Sequence, residues 1–291
     1  MNKPEITRKT KIRMASLPES RLYTFIDQDK KFALYFLEGQ KLIHDLVVTQ
    51  NLKPGEFDFF RSAVLGVQPM IAYLKTGELF CVYVDSQSPY FRLKIEMNAM
   101  GLMRGMIYSE ALRGTPEAVT GNLRLLKILP GSKTPYESIV GLDGISMDEI
   151  INNVLSRSYQ VSSKVFVSGR SDQSVMASQL PLTQKEEKSD PEAAFERYAD
   201  DLNRIMEKGL TDKEALCAEM DRLGFSYLGA QPVAFQCGCS KEMMTENIRR
   251  LVQSASEDIF FPGQDAIEVV CEYCKTPYQI SRRDTGEKAA H

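Results

Sequence analysis

Four of the six cysteines in this chain stand in two tight pairs, Cys237 and Cys239 in "QCGCS" and Cys271 and Cys274 in "VCEYCK". Residues 240–270 separate the pairs, and no other feature restricts the fold as strongly. Two thiols one or two residues apart share a turn, and two such turns supply the four soft ligands that tetrahedral zinc accepts. The intervening chain must leave the first pair and return to the second. It offers an amphipathic helix, "KEMMTENIRRLVQS", a turn at "FPGQD" and a strand, "AIEVV". One Zn2+ per chain on Cys237, Cys239, Cys271 and Cys274 is the expectation. An iron–sulfur cluster takes the same four thiolates and stays open as an alternative.

Magnitudes say what such a metal does. An apolar core in a domain below about 70 residues rarely contributes more than about 3–5 kcal/mol, whereas a structural zinc contributes about 10–16 kcal/mol of apparent binding. A module spanning residues 231–284 should therefore unfold when it loses the metal. The thiolates that bind zinc are also open to oxidation.

The opening "MNKPEITRKTKIRMASLPESR" is basic but has no apolar core of a secretory signal, so residues 1–20 read as an N-terminal arm. In a reducing, cytoplasmic compartment, paired cysteines serve as metal ligands or redox thiols, not as structural disulfides. No membrane span is expected, since the best apolar stretch, "SAVLGVQPMIAYL", is short and contains Gln68 and Pro69. A net charge of −3 gives no chain-wide attraction to phosphate. Residues 237–284 carry six basic and eight acidic side chains, which argues against a nucleic-acid-binding zinc module, the first rival. A thiol-disulfide oxidoreductase is the second. Its C-x-x-C should open a helix, but "KTPYQI" follows Cys274 with Pro277 in it. With only His44 and His291 available, histidine catalysis is also a poor reading, and no enzyme is expected.

Upstream, "RLYTFID" and "KFALYFLE" read as two strands, the second half-buried through Phe32, Leu34 and Phe36. Residues 57–75 read as a helix kinked at Pro69. "ELFCVYV", "FRLKIEM" and "LMRGMIY" form an antiparallel sheet, and "LRLLKIL" and "YQVSSKVFVSG" add strands. Cys81 lies in the first of these runs as an inert buried thiol. Character changes at 181, where the chain becomes charge-dense. Asp190 can cap a helix that carries Phe195, Tyr198, Leu202, Ile205 and Met206 as one apolar stripe. Gly209 ends it, and "TDKE" (211–214) opens the next as a capping box. The expected fold is α+β, with a mixed sheet-and-helix domain (21–180), a charged helical linker (181–230), a small zinc-binding domain (231–284) and a tail (285–291). Helices as short as the linker's are marginal alone and depend on docking.

"QPVAFQCGCS", the spacing to the second pair, and "VVCEYCKTPYQI" resemble the zinc end of a bacterial chaperone family, the redox-regulated heat-shock proteins of 33 kDa. "MEKGLTDKEAL" resembles that family's linker and "PYESIVGL" its N-terminal domain. The chain departs from the pattern at "DSQSPY" (85–90), where the family has a glycine-rich turn, and in its longer arm. The resemblance implies an ATP-independent holdase, inactive while reduced and zinc-bound. It also implies disulfides Cys237–Cys239 and Cys271–Cys274 on oxidation, zinc release, an unfolding linker, unfolded proteins as partners, and homodimers when oxidised. From the apolar stripe, Leu202, Ile205 and Met206 are expected to latch the linker by burial against the N-terminal domain or the zinc module.

Overall fold

The two strands expected near the start form as β1 (Arg21–Asp27) and β2 (Phe32–Glu38), an antiparallel pair. The computed structural model describes residues 16–29, 31–109, 112, 116–132, 134–145, 147–159, 162–180, 191–254, 259–261 and 263–286. The expected cap at Asp190, the first fifteen residues of the arm and the end of the tail lie outside these, as does the side chain of Phe195. The chain divides into two units, Met1–Phe235 and Gln236–His291.

Within the first unit, "ELFCVYV", "FRLKIEM" and "LMRGMIY" become β3 (Leu79–Ser88), β4 (Tyr90–Asn98) and β5 (Leu102–Ser109). With β6 (Val119–Ile128) and β7 (Tyr136–Ile145) they make an antiparallel sheet, extended at β5 by the short parallel β11 (Ala234–Phe235). A second, five-stranded sheet runs in the order β10 (Phe225–Pro232), β1, β2, β9 (Gln173–Gln179), β8 (Ser163–Val167), antiparallel throughout.

Helices α1 (Gln40–Gln50), α2 (Pro54–Val67) and α3 (Met147–Asn153) contribute to a shared core. Phe59, Phe60, Val64 and Leu65 of α2 pack there with Phe80, Val82, Phe91 and Leu93 of the first sheet and Leu22, Leu37 and Met176 of the second. In place of the kink expected at Pro69, the chain tightens into a 3-10 helix over Gln68–Tyr73. Proline has no N–H to continue the α pattern and its ring crowds the preceding turn.

The other face of the five-stranded sheet is sealed by α4 (Pro191–Glu207) and α5 (Lys213–Arg222). Leu202, Ile205 and Met206 are all 0 % exposed and cluster with Phe25, Leu34, Phe36 and Val175; Leu216 and Met220 of α5 join them. Strand β2 therefore has apolar neighbours on both faces. The alternation Phe32, Leu34, Phe36 marks only the face toward α4, while Leu37 enters the other core. Gly209, at φ 60, terminates α4 as expected. The cap of α5 is Asp212, which accepts from the Ala215 N–H at 2.9 Å. The box expected at Thr211 gives way to a single cap one residue on, because the Asp212 carboxylate is the group that reaches the third amide of the helix.

A polar clasp supplements the apolar contact. Arg61 of α2 donates to the Asp172 carboxylate at 2.6 Å and to the Ser168 carbonyl at 3.1 Å, fixing the turn between β8 and β9. From that segment, Ser171 Oγ donates to the Met206 carbonyl at 2.7 Å and Gln173 Nε2 to the Leu210 carbonyl at 2.6 Å. The Leu210 carbonyl, just beyond the end of α4, gains a partner this way, and the Met206 carbonyl gains a second besides the Gly209 N–H.

The second unit holds α6 (Lys241–Ser254), β12 (Ala266–Val270), β13 (Pro277–Ser281) and the single turn α7 (Arg282–Thr285). The helix and strand read between the cysteine pairs form over the residues expected. Among its described residues the buried apolar side chains are Phe260, Cys271 and Ile280, and α6 buries none completely. Arg282 lies over the Phe260 ring at 4.6 Å and donates to the Phe260 carbonyl at 3.2 Å.

Candidate metal centre

Each cysteine pair is held by a different piece of backbone. Cys237 and Cys239 occupy the stretch before α6, whose start is fixed by Ser240: its hydroxyl accepts from the Met243 N–H at 3.2 Å. Cys271 and Cys274 lie in the loop of the β12–β13 hairpin. That loop is tied by Cys271 N–H to the Thr276 carbonyl at 3.0 Å and Lys275 N–H to the Cys271 carbonyl at 2.9 Å. Lys275 takes a left-handed backbone, φ 57, to close it.

The two turns meet. The four Sγ atoms lie within 4.8 Å of one another, with Cys237–Cys271 at 3.7 Å and Cys239–Cys274 at 3.3 Å. A zinc–sulfur length of about 2.3 Å places tetrahedral sulfurs about 3.8 Å apart, so the donor set and its spacing fit one zinc ion. A polynuclear iron–sulfur cluster inserts its own iron and sulfide between the thiolates, for which this spacing is tight. Cys271 is buried and its three partners are half-buried.

Electrostatics divides the four. Burial pushes the Cys239 thiol up to about 12 against the opposing hydroxyl of Tyr278, and burial also raises Cys237. Burial raises Cys274 too, but the Thr276 hydroxyl and N–H and the Cys239 and Cys271 thiols outweigh it and bring Cys274 down to about 6. Thiolates in contact resist further ionisation as like charges, a restriction that a bound divalent cation removes.

Tyr278 is the residue that sequence reading passed over. Its hydroxyl lies 3.1 Å from Cys239 Sγ and donates to the Cys239 carbonyl at 3.2 Å. Only the register of β12 against β13 brings it there, and spacing along the chain carries no sign of it. The other cysteines stand apart. Cys81 is buried in β3, its thiol raised to about 11 by burial and then by Glu96, and Cys217 on α5 packs at the edge of the α4 core. His44 pairs with the Asp45 carboxylate at 3.1 Å. Leu202, Ile205 and Met206 belong to the first unit's second core and carry no ligand atoms. Among the described residues no helix is long and apolar enough to cross a membrane.

A family model described as "Hsp33 protein" matches residues 20–281. The chain is 27% identical over 226 residues to a 33 kDa chaperonin of Nitrosococcus oceani, covering 73% of this chain and 74% of the relative. It is 24% identical over 285 residues to a 33 kDa chaperonin of Pseudomonas paraeruginosa, covering 94% and 95%. Among solved structures it is similar to the 33 kDa chaperonin (heat shock protein 33 homolog) of Thermotoga maritima, with a TM-score of 0.66 at 16% identity over 92% of this chain and 97% of the other. That likeness is one of fold.

Proposed function

Because the chain belongs to the Hsp33 family, we propose that it is a chaperone, an ATP-independent holdase that oxidation of its four-cysteine centre turns on. The observation that carries this reading is the convergence of four thiols within 4.8 Å. They lie in a unit whose described residues bury three apolar side chains, so little besides the centre holds it folded. Bound zinc supplies the cross-links that such a core lacks, about 10–16 kcal/mol of apparent binding.

While reduced, Cys237, Cys239, Cys271 and Cys274 hold the metal. Oxidation pairs Cys237 with Cys239 and Cys271 with Cys274, and sulfurs in a disulfide are no longer thiolate ligands. The zinc unit then unfolds. The linker, about residues 181–230, follows in a second step that heat assists. Release of α4 and α5 uncovers Phe25, Leu34, Phe36 and Val175, an apolar sheet face of the kind an unfolding protein binds. Unfolded proteins of the cytoplasm are the partners, and oxidised chains pair as homodimers.

The test is zinc content together with suppression of client aggregation, each measured before and after peroxide at mild heat. The reduced protein should hold one zinc and be inactive; the oxidised protein should hold none and be active. Cys81→Ser and Cys217→Ser should keep the metal. Stoichiometric zinc in a Cys237→Ser/Cys271→Ser variant would refute the centre, and a dominant disulfide between the two pairs would refute the switch chemistry.

A further inference from the structure

Of the side chains around the sulfurs, Tyr278 couples the two halves of the centre. It sits on β13, opposite Val269 of β12, yet its hydroxyl reaches the other cysteine pair, 3.1 Å from Cys239 Sγ and 3.2 Å from the Cys239 carbonyl. A phenol carries one proton, which goes to the Cys239 carbonyl while the thiol keeps its own; a thiolate has no proton to give, so when Cys239 serves as a ligand that single O–H turns to the sulfur. Resting on the switch read above, we infer that Tyr278 is a positioning residue that sets how readily the centre is oxidised, by donating to Cys239.

The chemistry follows from where the electrons sit. In the first step a sulfur lone pair attacks one oxygen of hydrogen peroxide. The S–O bond forms, the O–O bond breaks, and hydroxide leaves to be protonated to water. In the second step the sulfur of a neighbouring cysteine displaces water from the resulting sulfenic acid as the S–S bond forms. Two thiolates lose two electrons, the solvent supplies two protons, and the peroxide becomes two waters. An O–H donor draws on the sulfur lone-pair density that the first step uses. Donation from Tyr278 therefore makes Cys239 a poorer nucleophile and holds it in place as a ligand. Outer partners of this kind are worth about 10–100-fold in metal affinity.

The experiment is stopped-flow zinc release from the reduced, zinc-loaded full chain, followed with a metallochromic dye at fixed hydrogen peroxide. It is combined with mass-spectrometric mapping of the first trapped sulfenic acid. Tyr278→Phe keeps the ring and removes the donor. Release should accelerate about 10-fold, the lower end of such an outer partner's worth, and the trapped sulfenic acid should shift toward Cys239. A monofluorinated tyrosine incorporated at position 278, a stronger donor of the same shape, should slow release, and it stands in if Tyr278→Phe fails to load zinc. A merely structural tyrosine would lower the melting temperature of Tyr278→Phe and leave both the rate and the trapped site unchanged. That result, or a fluorinated chain that releases zinc no more slowly than wild type, overturns the role of Tyr278 alone. A wild-type chain that holds no zinc overturns this inference together with the reading beneath it.

Discussion

Cys239 and Cys274 lie a hydrogen bond apart and ionise at opposite ends of the cysteine range, about 12 and about 6. The metal-free unit unfolds, and its thiols, back at the ordinary cysteine value of about 8.5, hold protons at pH 7 that zinc must displace. Zinc affinity should rise with pH, about tenfold per unit for each proton released. Calorimetric titration in buffers of different ionisation enthalpy should count at least two protons. A second residue-scale effect lies in the first unit. Glu38, buried at the end of β2, is raised to about 7 by burial, against the Gln40 N–H and with Asp172 adding to the rise. The folded chain therefore keeps a proton that the unfolded chain gives up near pH 4.5. Stability should fall as pH rises from about 4.5 to 7 and be level above. Glu38→Gln should flatten that slope and raise Tm at pH 8 by about 2–4 °C per kcal/mol regained. The four ligand cysteines were legible in sequence because ligand spacing is local. Tyr278 and Glu38 were not, since one depends on hairpin register and the other on what covers the end of β2.

Among the elements, α4 is the one in which stability and activity should oppose each other. Leu202 and Ile205 are fully buried, and each such side chain contributes about 1.5–3 kcal/mol. Leu202→Gln or Ile205→Asn loses most of that and buries a polar group as well. Every ~1.4 kcal/mol shifts the docked population tenfold, so these variants should suppress aggregation while still reduced and zinc-bound. Assay under strong reductant distinguishes a latch from an inert connector, which would only melt earlier. Gln173→Ala removes the clasp on the Leu210 carbonyl without touching the apolar stripe. It should act in the same direction but more weakly, by about 0.5–1.5 kcal/mol for one hydrogen bond. The helix and the first strand of the zinc unit could be read from pattern alone, as could α4. Strand β10 could not: "FSYLGAQP" contains Gly229 and Pro232, and its extended form comes from pairing with β1. Strand β7 was missed for a related reason, as an exposed sheet edge with Tyr136 and Ile139 facing outward at 64% and 65% exposure. Of its side chains Leu142 is buried in the main core and Val140 packs against it, too few to mark a strand by pattern.

For the molecule as a whole, the two units differ in what holds them. The first has two apolar cores built on two sheets; the second has Phe260, Ile280 and the sulfurs. Chelation of zinc under reductant should remove amide-exchange protection from α6, β12 and β13 while β2 and β4 keep theirs. Equal loss in both units would mean that the metal supports more than its own unit. The strand order of the five-stranded sheet has a further consequence. β10 is its outermost strand and covers β1 from Arg21 to Asp27, and the linker segment proposed to unfold ends inside β10. If β10 leaves with the linker, β1 presents a row of unpaired N–H and C=O groups beside the bared aromatic face. A main-chain edge of that kind discriminates by extension and not by side-chain identity. Any stretch of polypeptide caught in an extended state could lie against it, so selectivity would be for the condition of a protein instead of its sequence.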